Sequence, residues 1–267
     1  MSVQLAMLAR LLDRLVLQPT TEALPTDGRV RRCVNFTDGS FEVFSALHAC
    51  RDEAEAELFV LKFPGTGGRA ERASANPADI LGRPASIWTV NPPGYGGSPG
   101  RASLRCLAAT GLAAFDELRR VAGERPIIVT ANSLGSLAAL RVAAERPISG
   151  LLLRDPVPLR QLIRGRHRWR PLWGATWVLS HYVPDDVDCV TNAARAAAPL
   201  AFVSSQNDRV VPTSYQRLIF DAYAGPKKLL TLDGADHGQQ LEPQHEQPYI
   251  DLIKWLSRTV CPAPVKP

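Results

Sequence analysis

The run Ile127-Ile128-Val129-Thr130-Ala131-Asn132-Ser133-Leu134-Gly135-Ser136-Leu137 places a serine between a β-prone segment and a helix-forming one. A sharp strand-to-helix bend exposes such a serine, and its strained backbone admits only small residues two places either side. Ala131 and Gly135 meet that need, with a methyl where the usual motif has glycine. A hydroxyl is a weak nucleophile at neutral pH, so the chemistry calls for a base and a group that orients it. Among His48, His167, His181, His237 and His245, the preferred base is His237, in the small-residue loop Gly234-Ala235-Asp236-His237-Gly238. His48 falls on a hairpin and His245 opens the last helix, both read as surface positions; His167 and His181 belong to an irregular insertion. Asp208, after the apolar run Leu200–Ser204, is the preferred orienting acid. Asp155, after the preceding run, is its rival, and Asp236 is disfavoured because adjacent side chains point apart.

Negative charge developing on a substrate oxygen needs two aimed donors. The Leu134 N–H, at a helix start, supplies one, and Phe63-Pro64-Gly65-Thr66 offers the Thr66 N–H as the other. Gly65, Asn132 and Tyr95 on the neighbouring loops are candidate substrate contacts, as are Trp169 and Trp173 from the insertion. The glycines after Phe63 are not followed by Gly-Lys-[Ser/Thr], so the P-loop reading fails, and no GxGxxG opens a helix, which disfavours a dinucleotide site.

These residues meet only if the apolar runs are parallel strands. Leu58–Phe63, Ala85–Val90, Ile127–Thr130, Ile148–Leu153, Leu200–Ser204 and Leu229–Leu232 are nearly continuous apolar stretches separated by helical segments. That pattern predicts a sheet covered on both faces, with its site in loops beyond the carboxyl ends of the strands. Arg29–Phe36 and Phe41–Leu47, joined by Thr37-Asp38-Gly39-Ser40, read as a β-hairpin ahead of it.

Residues 1–28 form an N-terminal unit, a helix followed by the turn-rich linker Pro19–Gly28. Val3, Met7, Leu8, Leu11, Leu12 and Leu15 fall at helical spacing, which predicts an amphipathic helix packed on the core; a partner or membrane surface is the alternative. The core comprises 29–156 and 198–267. Residues 157–197 are too long for an ordinary connection and read as a helical cap inserted over the strand ends. Arg160, Arg164, Arg166, Arg168 and Arg170 interleave there with Trp169, Trp173 and Trp177. An anionic, amphiphilic acyl substrate would suit that mixture, although a solvated cap whose tryptophans pack on the core is the preferred reading.

The net charge of +5 comes without any nucleic-acid module, so nucleic acid is not an expected partner. The five cysteines are scattered and form no CxxC pair, which argues against a disulfide framework and a zinc site and favours a reducing, cytoplasmic setting. No run reaches the roughly 18 apolar residues of a membrane span. Arg10, Asp13 and Arg14 interrupt the N-terminal stretch, so it does not read as a signal peptide.

Over nearly all of residues 29–260 the chain resembles the α/β-hydrolase superfamily, in its lipase/esterase-like or S33-like branch. The resemblance rests on Ala131-Asn132-Ser133-Leu134-Gly135, the Phe-Pro-Gly-Thr-Gly turn, Asn91-Pro92-Pro93-Gly94-Tyr95-Gly96-Gly97-Ser98, Asp208-Arg209-Val210-Val211-Pro212 and Asp236-His237-Gly238. The chain order Ser, Asp, His is the superfamily's order. Asn91 replaces an aspartate, Pro64 a histidine and Ala131 a glycine, which marks a less common branch. The resemblance implies a mostly parallel, doubly wound sheet of the eight-stranded type, no metal and no organic cofactor. It also implies a serine hydrolase of carboxylic esters or thioesters with a small-molecule acyl substrate. An acyltransferase or cofactor-free perhydrolase using the same triad, or a catalytically silent binding protein, are the alternatives.

Overall fold

The computed structural model describes residues 3–166 and 173–260. Eight strands form one sheet: β1 (Val30–Phe36), β2 (Gly39–His48), β3 (Leu58–Phe63), β4 (Ala85–Asn91), β5 (Ile127–Asn132), β6 (Gly150–Arg154), β7 (Leu200–Ser205) and β8 (Lys227–Leu232). Their order is β1-β2-β4-β3-β5-β6-β7-β8. The β1–β2 hairpin turns through Thr37-Asp38, and β2 also runs antiparallel to β4; every later pairing is parallel. After β3 the chain steps outward to β4 and then crosses back over β3 to lay down β5. The order therefore reverses between β3 and β5, where doubly wound sheets open a crevice beyond their carboxyl ends. Phe63 pairs with Ala131 at that point, so the turn after β3 and the serine bend after β5 are neighbours.

Both faces of the sheet are covered, as the apolar runs require. On one face α3 (Leu104–Ala122), α4 (Ser136–Glu145) and α8 (Thr213–Ala222) bury Leu118, Leu140 and Ile219 against Phe59, Val129 and Phe202. On the other, α2 (Ala78–Leu81) and α9 (Pro243–Val260) bury Ala78, Ile253 and Leu256 against Val60, Ile128 and Val203. The alternation of neighbouring strand residues between the two clusters is the period-two geometry of a sheet buried on both sides.

The stretch between β6 and β7 has two parts. Val183, Val187, Cys189 and Ala196, with α7 (Cys189–Ala193), belong to the main core. Before them α5 (Leu159–Arg166) and α6 (Trp173–Ser180) pack together, and two of the arginines are spent on holding the segment. Arg160 pairs with Asp185 at 2.6 Å and Asp188 at 3.4 Å, and Arg164 Nε donates to Ser180 Oγ at 2.8 Å.

α1 (Val3–Val16) forms where its spacing predicts, with Leu12 in the main core. Met7, Leu11 and Leu15 nevertheless remain exposed, so only part of the apolar pattern packs inward. His245 departs from its surface assignment. It is 5% exposed, because its ring turns back onto the β8–α9 loop: Nε2 lies 3.0 Å from the Asp233 carbonyl and Nδ1 accepts from the Glu242 N–H at 3.3 Å. Among the described residues, no helix is long and apolar enough to cross a membrane.

Candidate active site

β5 ends in Asn132, and Ser133 takes φ +48°, a left-handed conformation that non-glycine residues adopt only when their surroundings enforce it. The surroundings here are tight. A Cβ on Gly135 would lie 2.1 Å from the Phe63 carbonyl oxygen, so the helix start can pass the end of β3 only as glycine. Ala131 is 2% exposed, and its methyl is accommodated in the core at the last pair of β3 and β5. A short 3₁₀ turn, Ser133–Gly135, leads into α4 and leaves the Leu134 N–H at a helix N-terminus.

Three chain segments then converge. Ser133 Oγ lies 2.9 Å from His237 Nε2, and His237 Nδ1 lies 2.6 Å from Asp208 Oδ2. Asp208 is buried and held from several sides. Its Oδ1 accepts from the backbone N–H groups of Val210 at 2.9 Å and Val211 at 2.7 Å. Its Oδ2 also accepts from Gln216 Nε2 at 2.8 Å, and the same amide group donates to the Val211 carbonyl. The hydrogen bond that Asp208 accepts from the imidazole is the largest influence on His237 and raises its pKa. Partial burial opposes this, while the charges of Asp208, Asp155 and Asp236 add to it.

Asp155, the rival acid, also reaches the site but by another role. It is 1% exposed and takes φ +47° at the end of β6. Its Oδ1 accepts from the Ser205 N–H at 2.7 Å, and its Oδ2 from Ser205 Oγ and the Gly238 N–H, both at 3.0 Å. Asp155 thus ties the strand leading to Asp208 to the residue after His237. Asp236 points away from the imidazole and pairs with Arg209 at 2.8 Å, joining the acid and histidine loops on their outer side.

A cavity of about 600 Å³ opens on Ser133. Gly65, Thr66, Asn132, Leu134 and His237 border it, and Val16, Val157, Leu159, Leu162 and Val211 supply its apolar lining. Beyond Gly65 and Asn132 a second hollow of about 310 Å³ contains Lys62, Arg72 and Thr130. Burial lowers the Lys62 pKa to about 8, and its ammonium donates to the Ser74 and Asn76 carbonyls.

Two of the expected substrate contacts, Gly65 and Asn132, do border the cavity. Tyr95 does not: it is 4% exposed and lines a small separate hollow behind Phe63 and Pro64. Its hydroxyl donates to the Leu17 carbonyl at the end of α1, so its aromatic ring is structural. Trp169 lies outside the described residues, as does the side chain of Trp173. Sequence reasoning missed Gln216, whose only signal is its place one turn into the helix after Asp208. It also missed what Asn91 does. Buried completely, Asn91 accepts from the Ala70 N–H at 2.8 Å and donates to Glu71 at 2.9 Å, fastening the segment that follows the Gly65 turn.

No protein-family model matches the chain. Two uncharacterised proteins of Mycobacterium tuberculosis, from strains CDC 1551 and H37Rv, are 30% identical over 174 residues, which is 64% of this chain. The match spans 59% of those relatives' length. Solved structures agree over far more of the chain. A Pyrococcus furiosus esterase superposes with TM-score 0.68 at 15% identity, covering 92% of this chain and 98% of its own. An acetyl xylan esterase from Paenibacillus sp. R4 gives 0.64 at 15% identity, covering 96% and 99%. An acylaminoacyl peptidase of Pyrococcus horikoshii gives 0.63 at 14% identity, covering 91% of this chain and 44% of its own. With its strand order, its reversal between β3 and β5 and the serine bend at that reversal, the chain has the α/β-hydrolase fold.

Proposed function

We propose that the protein is a serine hydrolase that cleaves a carboxylic ester or thioester through an acyl-enzyme intermediate. The observation that carries this is the continuous hydrogen-bonded chain Ser133–His237–Asp208, at 2.9 and 2.6 Å, at the edge of a cavity of about 600 Å³. Ser133 Oγ attacks the acyl carbon as His237 Nε2 removes its proton, and Asp208 stabilises the imidazolium so formed. The Thr66 and Leu134 N–H groups receive the tetrahedral oxyanion; losing one such donor typically costs roughly 2.7–4 kcal/mol. His237 then protonates the leaving oxygen or sulfur, which departs as the acyl-enzyme forms. Water, deprotonated by the same nitrogen, releases the acid.

α5 and α6 serve as the cap, with Val157, Leu159 and Leu162 against the acyl chain. No metal or organic cofactor enters any step, and the unpaired Cys33, Cys50, Cys106 and Cys189 suit a reducing, cytoplasmic compartment. A fluorophosphonate probe, with the modified residue mapped by mass spectrometry, tests the assignment. Labelling at Ser133, abolished by His237→Ala, is the expected result. Folded protein that remains unlabelled would instead be a silent binding protein. Product analysis with an alcohol or peroxide as competing acceptor separates hydrolysis from acyl transfer.

A further inference from the structure

α1 is apolar on two sides. One side docks the helix: Leu12 is buried in the main core, and Asp13 turns inward to accept from the Leu104 N–H at 2.9 Å. The other side leaves Met7 64%, Leu11 46% and Leu15 59% exposed. Spaced four apart, these three form one stripe along the helix. Arg10 and Arg14, both exposed, flank it, and Asp13 is the only acid in α1.

The stripe does not end with the helix. Leu15 borders the Ser133 cavity, as does Val210, which is 48% exposed. α6, in contact with α1, exposes Trp177 at 47% and Val178 at 41%. Six of the nine large apolar side chains exposed among the described residues therefore belong to α1, to α6 or to the cavity mouth. Apolar surface gathered in this way marks a place where something else sits. Cations beside an apolar helix stripe are what an anionic lipid interface attracts.

We infer that this rim is a docking surface for an anionic phospholipid bilayer. α1 lies in the headgroup layer with Met7, Leu11 and Leu15 turned toward the acyl chains, Arg10 and Arg14 meet lipid phosphates, and the cavity opens onto the membrane. A second copy fits this face poorly, because an isologous contact would bring four arginines together. Docking itself needs no catalysis. That the substrate is a lipid acyl ester presented at this surface rests on the hydrolase function proposed above.

Vesicle sedimentation of the full chain tests the inference, using phosphatidylcholine vesicles with and without phosphatidylglycerol. The expected result is binding to the anionic vesicles at least about tenfold tighter than to the neutral ones, weakened by salt, and shared by Ser133→Ala. Met7→Ser with Leu11→Ser, and separately Arg10→Glu with Arg14→Glu, should each lower that affinity about tenfold, with circular dichroism unchanged. Folded protein that binds neither vesicle, or both equally, overturns the docking surface. So does a concentration-dependent dimer in light scattering that Leu11→Glu dissolves. Labelling at Ser133 without sedimentation removes the docking alone, whereas sedimentation without labelling removes the hydrolase function alone.

Discussion

The two walls of the cavity above Ser133 are held by different forces. On the strand-end side every functional side chain has a fixed partner: Ser133 on His237, His237 on Asp208, and Asp208 on Gln216 and two backbone N–H groups. On the helical side Val16, Leu159 and Leu162 contribute apolar area and shape, and the Arg160–Asp185 ion pair ties the segment that carries the two leucines. Directional bonds specify an atom's position, whereas apolar packing specifies volume, so under the proposed function one wall serves chemistry and the other a choice among acyl groups. Substitutions on the two walls should accordingly fail in different ways.

The largest effect belongs to the nucleophile. Ser133→Ala should lower kcat/KM for a simple aryl ester by about ten-thousandfold or more, and His237→Ala should do nearly the same. The double variant should lose little beyond either single one, since the two groups act as a unit; additive losses would separate them. Asp208→Asn keeps the shape but not the charge, and should cost about a thousandfold to ten-thousandfold in kcat. A small loss would mean that Asp155 can take over as the acid, a possibility the Asp208→Asn/Asp155→Asn pair would expose.

Asp155 should otherwise act on position and on proton affinity. Asp155→Ala strands the Ser205 and Gly238 N–H groups and should cost about 3 kcal/mol of stability, read as a Tm lower by about 10 °C. Asp155→Asn removes a charge that helps to raise the His237 pKa. The base must be neutral, so activity rises with pH through the folded-state value, which lies above the ordinary histidine value of about 6.5. In Asp155→Asn that rising limb should move to lower pH. The sign for stability is opposite: protonated His237 favours the fold below its unfolded value, and the contribution is lost as pH climbs through the raised one.

The smallest effect should come from the apolar wall. Leu162→Ala ought to lower the preference for longer acyl esters over acetyl esters by about three- to tenfold, given roughly 0.8 kcal/mol per buried CH₂. A fall in kcat alone, equal for all chain lengths, would blur the distinction between the walls.

The wall that carries Ser133, Asp208 and His237 was legible because its signals are local. A strand-to-helix bend with small residues two places either side of a serine can be read in eleven residues, and Asp208 and His237 each lie in the short loop after an apolar run. The preference for Asp208 over Asp155 had less to rest on at that level. Both end parallel strands, and what separates them is that the His237 ring faces one while its loop backbone faces the other. Tyr95 misled because a glycine-rich loop at a strand end resembles a site, yet its hydroxyl turns to Leu17. Gln216 went unread, since its one signal, a place one turn into the helix after Asp208, does not mark it as the amide aimed back at that carboxylate.

By itself, the sequence determined the parallel sheet, the serine bend and the chain order of Ser133, Asp208 and His237 at successive strand ends. Periodicity and turn chemistry act over a few residues and need no partner. Only the tertiary structure decided which carboxylate meets the imidazole, which face of α1 is buried, and which arginines are consumed by Asp185 and Ser180. Those outcomes depend on side chains tens of residues apart competing for the same few ångströms. The spacing of the residues along the chain carries no term for that competition.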